Sequence, residues 1–306
     1  ILDATFVIDQ GADLGKWSPT NYSNKFYGLS TMRLGLEKSR NLMTIRLAQM
    51  IGIESIVDKA KKLNISDDID PVLSMALGAG ETTLERLTVA YATLVNGGKK
   101  ISPSLIDRVQ SRNGKTIEKQ DDRLCINCKM ETLDSSLEPK IIDSRAQIVD
   151  PVHAYQVVSM LEGAVLRGTG KKVSVIKKPL AGKTGTTNDS NDTWFIGFSP
   201  DLVVGVYVGF DTPKSLGPRE TGASVASPIF RDFMYLALEN EKGTPFRIPS
   251  KAKLVKINLK TGDLAKKNDK EVILEAFNSN SQIKDYINEK TSGRLKNDIK
   301  GLGGLY

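Results

Sequence analysis

The amino-acid sequence predicts an α/β domain in which helices flank an antiparallel sheet. Two apolar runs, 193–198 and 202–210, are joined by a Ser-Pro-Asp turn and have the composition of successive strands. The run 180–187 precedes them across a polar turn, so we expect it to form an inner strand of the same meander. Helical spacing of apolar residues recurs before and after this sheet, which places helices on its faces.

Length and composition indicate a globular domain. The chain has 306 residues and 40% hydrophobic content, which is enough for a substantial core. It has no uninterrupted apolar run of about eighteen residues, as a membrane-spanning helix needs. The first nine residues resemble a strand, without an initiator Met or a signal peptide. We therefore expect the chain to begin inside a longer protein that holds any anchor or export signal.

Positive charge is concentrated in the last part of the chain. Residues 239–306 hold 14 Lys and Arg against 9 Asp and Glu, whereas 1–238 hold 29 against 27. We therefore divide the chain into a compact domain, 1–238, and a basic C-terminal tail, 239–306. Such a tail suits an anionic lipid or polymer, or it is a solvated and partly disordered end. Nucleic acid is not an expected partner, because a basic stripe with stacking aromatics is missing.

Two short helices are predicted near the start of the chain, with a break between them. Apolar spacing indicates helices over 31–38 and 42–51, and Gly52 suits the C-cap of the second. Ser39 and Asn41 lie between the helices. Serine and asparagine disfavour helix interiors because their side chains compete for backbone hydrogen bonds. The break therefore places two polar side chains at a helix junction.

A further helix is predicted where Thr82 and Glu85 form a capping-box pattern, and an Asn-Gly-Gly sequence at 96–98 ends it. Residues 99–150 then read as a hairpin-like insert around an Asn-Gly turn at 113–114. The insert is charged and weakly periodic, so we expect no catalytic group in it.

The two cysteines, Cys125 and Cys128, lie in a polar stretch of this insert. A redox C-x-x-C normally occupies a strand-to-helix junction, which this context does not provide. A zinc site would need further ligands, and His153 is the single histidine of the sequence. A local disulfide is favoured if the compartment is oxidising, and two free thiols are the alternative. No metal site is predicted.

An Asp-Pro pair at 150–151 predicts the start of a helix over 152–166, with the Asp as N-cap. This helix is apolar almost all round, so we expect it to be central. His153 in its first turn is a candidate general base, although a surface role is favoured. A last helix is predicted over 229–238, and at most a short strand pair near 254–264 follows.

The sequence Gly182-Lys183-Thr184 is superficially like a phosphate-binding loop. That loop requires a glycine five residues before Gly182, but position 177 is Lys, and β-branched residues rather than a helix follow. A nucleotide site is therefore disfavoured, and no cofactor is predicted.

Two small motifs, Ser39-x-Asn41 and Lys183-Thr184-Gly185, occur in this order with distinctive flanking sequences. With these flanks the chain resembles the transpeptidase domain of class A penicillin-binding proteins across nearly all of 1–238. The chain's last residues, 303–306, also resemble the end of such a protein. The matching stretches are 17–22, 37–41, 76–79 with Glu81, 90–92 with 96–98, and 181–187.

The resemblance implies a role for each motif in acyl transfer, which needs an activated nucleophile and an oxyanion hole. Ser39 would relay a proton toward the leaving amine, and Asn41 would hold the amide of the donor stem peptide. Lys183 would supply positive potential near Ser39 and the substrate carboxylate.

The residues after Lys183 are implied to bind the substrate. The hydroxyls of Thr184 and Thr186 would bond the terminal carboxylate, and the Thr186 backbone N–H would be one oxyanion donor. Gly185 would let the substrate backbone lie along the strand. Thr187 and Trp194 are expected to be structural.

The chain departs from the family pattern at the nucleophile. A Ser-x-x-Lys motif should precede Ser39 but is absent from 1–38. Matches to the letters start at Ser174, Ser250 and Ser281, and their position in the chain rejects them. We expect the missing motif to lie upstream of Ile1, so that this chain alone is catalytically silent.

The function implied by the resemblance is a serine-type peptidoglycan D,D-transpeptidase that cross-links the cell wall through an acyl-enzyme. Its partners would be peptidoglycan stem peptides and β-lactams, at the periplasmic face of the bacterial inner membrane in the full-length parent. A non-catalytic wall-binding or assembly fragment is the alternative, for which the basic tail is the motive. A D,D-carboxypeptidase or serine β-lactamase relative would share the motifs but fits the long insert less well.

Overall fold

The computed structural model describes residues 1–9, 15–128 and 139–278. Its helices are α1 (Met32–Glu37), α2 (Asn41–Ile51), α3 (Ile53–Lys62), α4 (Leu84–Val95), α5 (Pro151–Leu166) and α6 (Ala226–Ala237). Its strands are β1 (Leu2–Asp3), β2 (Ile8–Asp9), β3 (Lys16–Trp17), β4 (Gly28–Leu29), β5 (Arg108–Gln110), β6 (Thr116–Lys119), β7 (Leu124–Ile126), β8 (Lys140–Ile142), β9 (Ala181–Thr186), β10 (Thr193–Phe198), β11 (Val203–Val208), β12 (Ala252–Asn258) and β13 (Val272–Asn278).

The central sheet is antiparallel, and its three strands are arranged in the order β11-β10-β9. The sequence prediction that 180–187 is an inner strand is wrong within the described residues, because β9 lies at the edge and β10 is inner. The physical reason is burial: β10 is covered on both faces, with Phe195 and Ile196 buried on opposite sides, whereas β9 ends in the exposed Thr186.

Helices cover both faces of this sheet, as predicted. On one face the Phe195 ring packs against Phe230 of α6, with 4.7 Å between the ring centroids. On the other face Phe198 packs edge-to-face against Tyr91 of α4. Helix α5 packs along β9 and contributes Val165 to the hydrophobic cluster around Phe230 and Leu161 to the cluster around Phe198. The prediction of a central, nearly all-apolar helix here is confirmed.

The predicted break between the first two helices is present. Thr31 caps α1 by accepting a hydrogen bond from Leu34 N, and α1 ends at Glu37. Helix α2 ends at Gly52, which adopts a positive φ of 84°, and α3 follows at once. Helix α3 was not predicted from the sequence, because its many charged residues obscure its amphipathic pattern.

Two caps can be compared with their predictions. Asp150 accepts hydrogen bonds from Val152 N and His153 N, as expected of the N-cap of α5. For α4 the predicted Thr82 is wrong: Thr83 accepts from Arg86 N instead, and the Thr82 hydroxyl donates to Ile65 O. The cap shifts by one residue because Thr82 has a tertiary partner.

The insert over 99–150 consists of two hairpins within its described part, β5 with β6 and β7 with β8. The first turns at the predicted Asn-Gly pair. The structure pairs Cys125 with Cys128 in a disulfide whose Cα atoms are 5.7 Å apart, so of the two states left open it favours the disulfide.

The described C-terminal part contains more structure than predicted. Helix α6 begins at Ala226, and β12 and β13 form a hairpin of seven residue pairs rather than a short pair near 254–264. Gln156 of α5 donates to Ala276 O of this hairpin at 2.7 Å, and Ala276 is buried. The division at 238 stays a prediction, and the predictions for Ser281 and 303–306 lie outside the described residues. Among the described helices none is long and apolar enough to span a membrane.

Candidate active site

The structure brings Lys183 and Ser39 together. Lys183 Nζ donates to Ser39 Oγ at 2.8 Å and to Thr184 O at 3.0 Å. Lys183 lies on the edge strand β9, and Ser39 lies in the turn between α1 and α2. The contact joins residues 144 positions apart in the chain. The two short motifs therefore form one site.

Ser39 reaches β9 because of the way α1 ends. Ser39 N donates to Leu36 O and Arg40 N donates to Gly35 O, which closes the last turn. Ser39 then adopts φ 53°, in the left-handed region that non-glycine residues rarely occupy. Such a conformation persists only where surrounding contacts enforce it, and it is typical of functional sites.

Burial lowers the pKa of Lys183 to about 8. An ammonium group in a poorly solvated position loses part of its hydration, so its charged form is disfavoured. Near neutral pH the side chain is still mostly protonated, yet it releases its proton more readily than an exposed lysine. The group can thus attract an anion and also take part in proton exchange with Ser39 Oγ.

The hydroxyls after Lys183 are held by residues that the sequence analysis did not single out. Thr184 Oγ1 lies 2.8 Å from Thr169 Oγ1, and Thr186 Oγ1 accepts from Gly222 N at 3.0 Å. Thr169 lies just beyond the helix predicted over 152–166. The glycines beside it, at 168 and 170, are a signal of close approach that could have pointed to it.

Gly185 and Gly222 are both constrained by close neighbours. A Cβ at Gly185 would lie 3.1 Å from Trp194 Cβ, so the absence of a side chain here has a packing reason. A Cβ at Gly222 would lie 2.5 Å from Gly185 O and from Trp194 O. The segment of Gly222 therefore lies directly against the sheet beside Thr186.

Asn41 faces a neighbouring loop. Its Nδ2 donates to Thr20 O at 3.0 Å, in the stretch 17–22 that the sequence analysis quoted. Asn21 of that loop is buried and accepts from Leu42 N at 3.3 Å. The loop is thus fixed on the first turn of α2, beside Ser39.

The other candidates lie apart from this cluster. His153 is exposed in the first turn of α5. Ser174 is in a 3-10 helix, Lys171–Ile176, that precedes β9, and its hydroxyl donates to Lys171 O. Ser250 is exposed at the start of the C-terminal hairpin.

The described residues thus combine a mixed fold and an antiparallel sheet with a lysine on the edge strand that is bonded to a serine at a helix break. The family model described as the penicillin binding protein transpeptidase domain matches residues 2–235. The chain belongs to this family, which confirms the resemblance and the fold class predicted from the sequence.

Individual relatives agree with this assignment. The chain is 45% identical to penicillin-binding protein 1A of Rickettsia bellii over 283 residues, which is 91% of this chain and 35% of that protein. It is 42% identical to penicillin-binding protein 1A of Rickettsia felis over 301 residues, 97% of this chain and 38% of that protein. The chain therefore spans little more than a third of the length of these relatives.

Solved structures share the fold. The crystal structure of penicillin-binding protein 1A from Haemophilus influenzae matches with a TM-score of 0.78 and 28% identity, over 92% of this chain and 44% of that one. The PonA1 protein from Mycobacterium tuberculosis, solved in complex with penicillin V, matches with a TM-score of 0.61 and 21% identity. That match covers 81% of this chain and 66% of PonA1, and it bears on the fold alone.

Proposed function

We propose that this chain carries the proton-transfer and carboxylate-binding side of a serine-type D,D-transpeptidase site for peptidoglycan stem peptides ending in D-alanyl-D-alanine. The hydrogen bond from Lys183 Nζ to Ser39 Oγ is the observation that supports it most. The bond unites, in one site, the two motifs on which the family resemblance depends.

In the proposed reaction a serine hydroxyl attacks the carbonyl carbon between the two D-alanines. The new C–O bond forms while the attacking hydroxyl gives its proton to a base that would be supplied together with the nucleophile, and the carbonyl electrons move to oxygen. Collapse of this intermediate returns the electrons to the carbonyl and breaks the C–N bond to the last D-alanine. The leaving amine needs a proton. Ser39 Oγ supplies it and is reprotonated from the Lys183 side, for which the lowered pKa of Lys183 is suitable.

The substrate carboxylate would bind between Lys183 and the two threonines. A hydroxyl has one proton to donate and two lone pairs. Thr186 Oγ1 already accepts from Gly222 N, so its own proton remains available for a carboxylate oxygen. Thr169 can donate to Thr184 in the same way, which directs the Thr184 proton outward.

The open edge of β9 suits an extended peptide. Thr187 N donates to Asp192 O, and groups along an antiparallel strand point alternately towards and away from the partner. The Thr186 N–H is therefore turned away from β10, toward the open edge. An oxygen that becomes negative during attack would be stabilised by a donor in this position.

The nucleophile would have to come from outside residues 1–306, because a Ser-x-x-Lys motif is absent before Ser39. We propose that this chain alone forms no acyl-enzyme. In the whole protein we propose cell-wall cross-linking at the periplasmic face of the inner membrane and reaction with β-lactams. The name of the relatives, penicillin-binding protein 1A, supports the proposed reaction with β-lactams.

Two measurements on the purified chain test these proposals. Incubation with a fluorescent penicillin should give no covalent adduct, and an adduct would show that the chain contains a nucleophile. Titration with diacetyl-L-lysyl-D-alanyl-D-alanine, followed by NMR, should shift signals of Lys183, Thr184 and Thr186. Lys183→Ala should abolish these shifts, while Lys172→Ala, at an exposed lysine, should not.

The same titration addresses a non-catalytic binding role, the alternative raised by the sequence. Saturable peptide binding without any adduct would support a binding fragment with a recognisable donor site. Absence of shifts at Lys183 and both threonines would contradict the site proposal itself.

A further inference from the structure

Four charged side chains connect the C-terminal hairpin to the helix that precedes Ser39. Arg33 of α1 donates to Glu275 of β13 from Nε at 2.6 Å and from Nη2 at 2.5 Å. Arg33 Nη1 also lies 3.5 Å from Glu37 Oε1. Glu37 in turn accepts from Arg167, at 2.5 Å and 3.1 Å. We name this chain of contacts, Glu275, Arg33, Glu37 and Arg167, the charged network.

The charged network is buried where it meets α1. The side chain of Arg33 is 4% exposed, that of Glu37 is inaccessible and that of Glu275 is 17% exposed. Burial alone would lower the pKa of Arg33, but the Glu275 and Glu37 carboxylates raise it above its usual value. A buried charge without its partner is strongly unfavourable, so the four groups constrain one another's positions.

Neighbouring contacts fix α1 at both ends. The Thr31 hydroxyl, at the N-cap of α1, donates to Leu259 O just after β12. At the other end Lys38 Nζ donates to Arg167 O, and Thr169 N donates to Glu37 O at 3.2 Å. Helix α1 has six residues, which are too few to form a stable helix alone. These contacts therefore fix the position of its C-terminal end.

Ser39 follows directly from this fixed end. It lies two residues after Glu37 and keeps its strained φ of 53°. Thr169, which bonds the Glu37 carbonyl, also contacts Thr184 beside Lys183. The charged network thus reaches both partners of the Lys183 to Ser39 hydrogen bond.

We propose that Glu275 is a positioning residue for this site, and that the C-terminal hairpin holds Ser39 in place through Arg33 and Glu37. Its consequence for peptide binding rests on the proposed function. The placement of Ser39 does not rest on the proposed function, because it is a property of the chain without bound peptide.

The variant Glu275→Gln tests the proposal, with Glu271→Gln as the matched control. Glu271 lies just before β13 of the same hairpin and pairs with Lys260 at 3.2 Å, and both side chains are exposed. Both variants lose one carboxylate. We expect Glu275→Gln to move the NMR signals of Ser39 and Lys183 in the unliganded chain, and Glu271→Gln to leave them in place.

Peptide binding gives the second readout. If diacetyl-L-lysyl-D-alanyl-D-alanine binds, Glu275→Gln should weaken it roughly two- to thirtyfold, the range expected for a residue that acts through a connected network. Glu275→Asp keeps the charge and should restore part of the affinity and of the Ser39 signal position. Merely lowered stability would not give this pattern.

The outcomes separate the two proposals. A folded Glu275→Gln chain with wild-type Ser39 and Lys183 signals would overturn the positioning role, whatever the peptide does. A wild-type chain that binds no peptide would overturn the proposed function but leave the signal test valid. If Glu275→Gln fails to fold, Glu275→Asp decides, because unchanged signals there would contradict the proposal.

Discussion

Lys183 combines a positive charge with a poorly solvated position, and this has a consequence for stability. Burial lowers its pKa from 10.5 to about 8 in the folded chain. Between these two pH values the unfolded chain binds more protons than the folded one. The free energy of unfolding therefore rises with pH through this window, and below pH 8 the full cost of the buried charge is present.

We predict that Lys183→Met increases the free energy of unfolding at pH 7 and removes the Lys183-dependent rise between pH 8 and 10.5. Urea unfolding at a series of pH values measures both effects. Lys172→Met is the control, because that side chain is exposed and its loss should leave the pH profile unchanged. Parallel profiles for Lys183→Met and the wild type would contradict the prediction.

Thr169 provides a second test at single-residue scale. The structure describes one side-chain hydrogen bond of the Thr169 hydroxyl, and its partner is the Thr184 hydroxyl. We predict that Thr169→Val weakens binding of a D-alanyl-D-alanine peptide several-fold and costs about 1 kcal/mol of stability or less, as for one neutral hydrogen bond. Thr169→Ser, which keeps the hydroxyl, should restore binding. Equal affinity of the Val and Ser variants would show that Thr169 does not orient Thr184.

Individual residues could be predicted as candidate site residues where they belong to a recognisable sequence motif. Ser39 and Lys183 were predicted as site residues through family resemblance, and spacing alone does not show that they are in contact. Thr169 and Gly222 were missed because small residues near a helix end have many roles. The four members of the charged network were missed because charged residues usually lie on the surface, and nothing local marks these as buried partners.

At the scale of elements, α5 shows how close packing around the charged network is. A Cβ at Gly163 would lie 1.9 Å from Glu37 Oε1 and 2.5 Å from Arg167 Nη2. Alanine is favoured over glycine in helices by about 1 kcal/mol. At this position the overlap with a fixed ion pair outweighs that gain.

We predict that Gly163→Ala lowers the free energy of unfolding by roughly 1–3 kcal/mol, the usual cost of overpacking. Gly35→Ala is the matched control in another helix. The three atoms nearest to its Cβ would all belong to the Met43 side chain, with a shortest distance of 3.0 Å, so the cost of this substitution should be smaller. Thermal and urea unfolding measure both. A stabilised Gly163→Ala chain would show that Glu37 and Arg167 can move apart freely.

Elements with a regular apolar pattern were predicted well. The break after α1, the central α5 and the pair β10 and β11 follow from periodicity and turn residues. The order of strands was predicted less well, because an edge strand and an inner strand differ in burial rather than in local sequence. The length of the C-terminal hairpin was missed since its many lysines suggested a solvated tail.

At the scale of the whole molecule, the hairpin of β12 and β13 behaves as part of the packed domain. Ala276 and Ile257 are buried, and Phe246, which precedes the hairpin, packs edge-to-face on Phe198 at 5.6 Å. Together with the charged network, these contacts join residues after 238 to the core. A chain that ends at 238 would expose apolar surface and leave Arg33 without Glu275.

We predict that truncation after residue 251 lowers the melting temperature by at least several degrees, since about 1 kcal/mol corresponds to 2–4 °C for domains of 150–250 residues. A chain truncated after 278, which keeps the hairpin, is the matched control. Differential scanning fluorimetry compares the two. Equal melting temperatures would support the division at 238 made from the sequence.

The long separation within the charged network also bears on the order of events during synthesis. Glu275 follows Arg33 by 242 residues. At a translation rate of roughly 5–20 residues per second, Glu275 is synthesised on the order of ten seconds or more after Arg33 of α1. From the proposed positioning role of Glu275 it follows that the turn that holds Ser39 would reach its final geometry after the sheet bearing Lys183 has been synthesised. A nascent chain would contain both Ser39 and Lys183 before Glu275 has been synthesised.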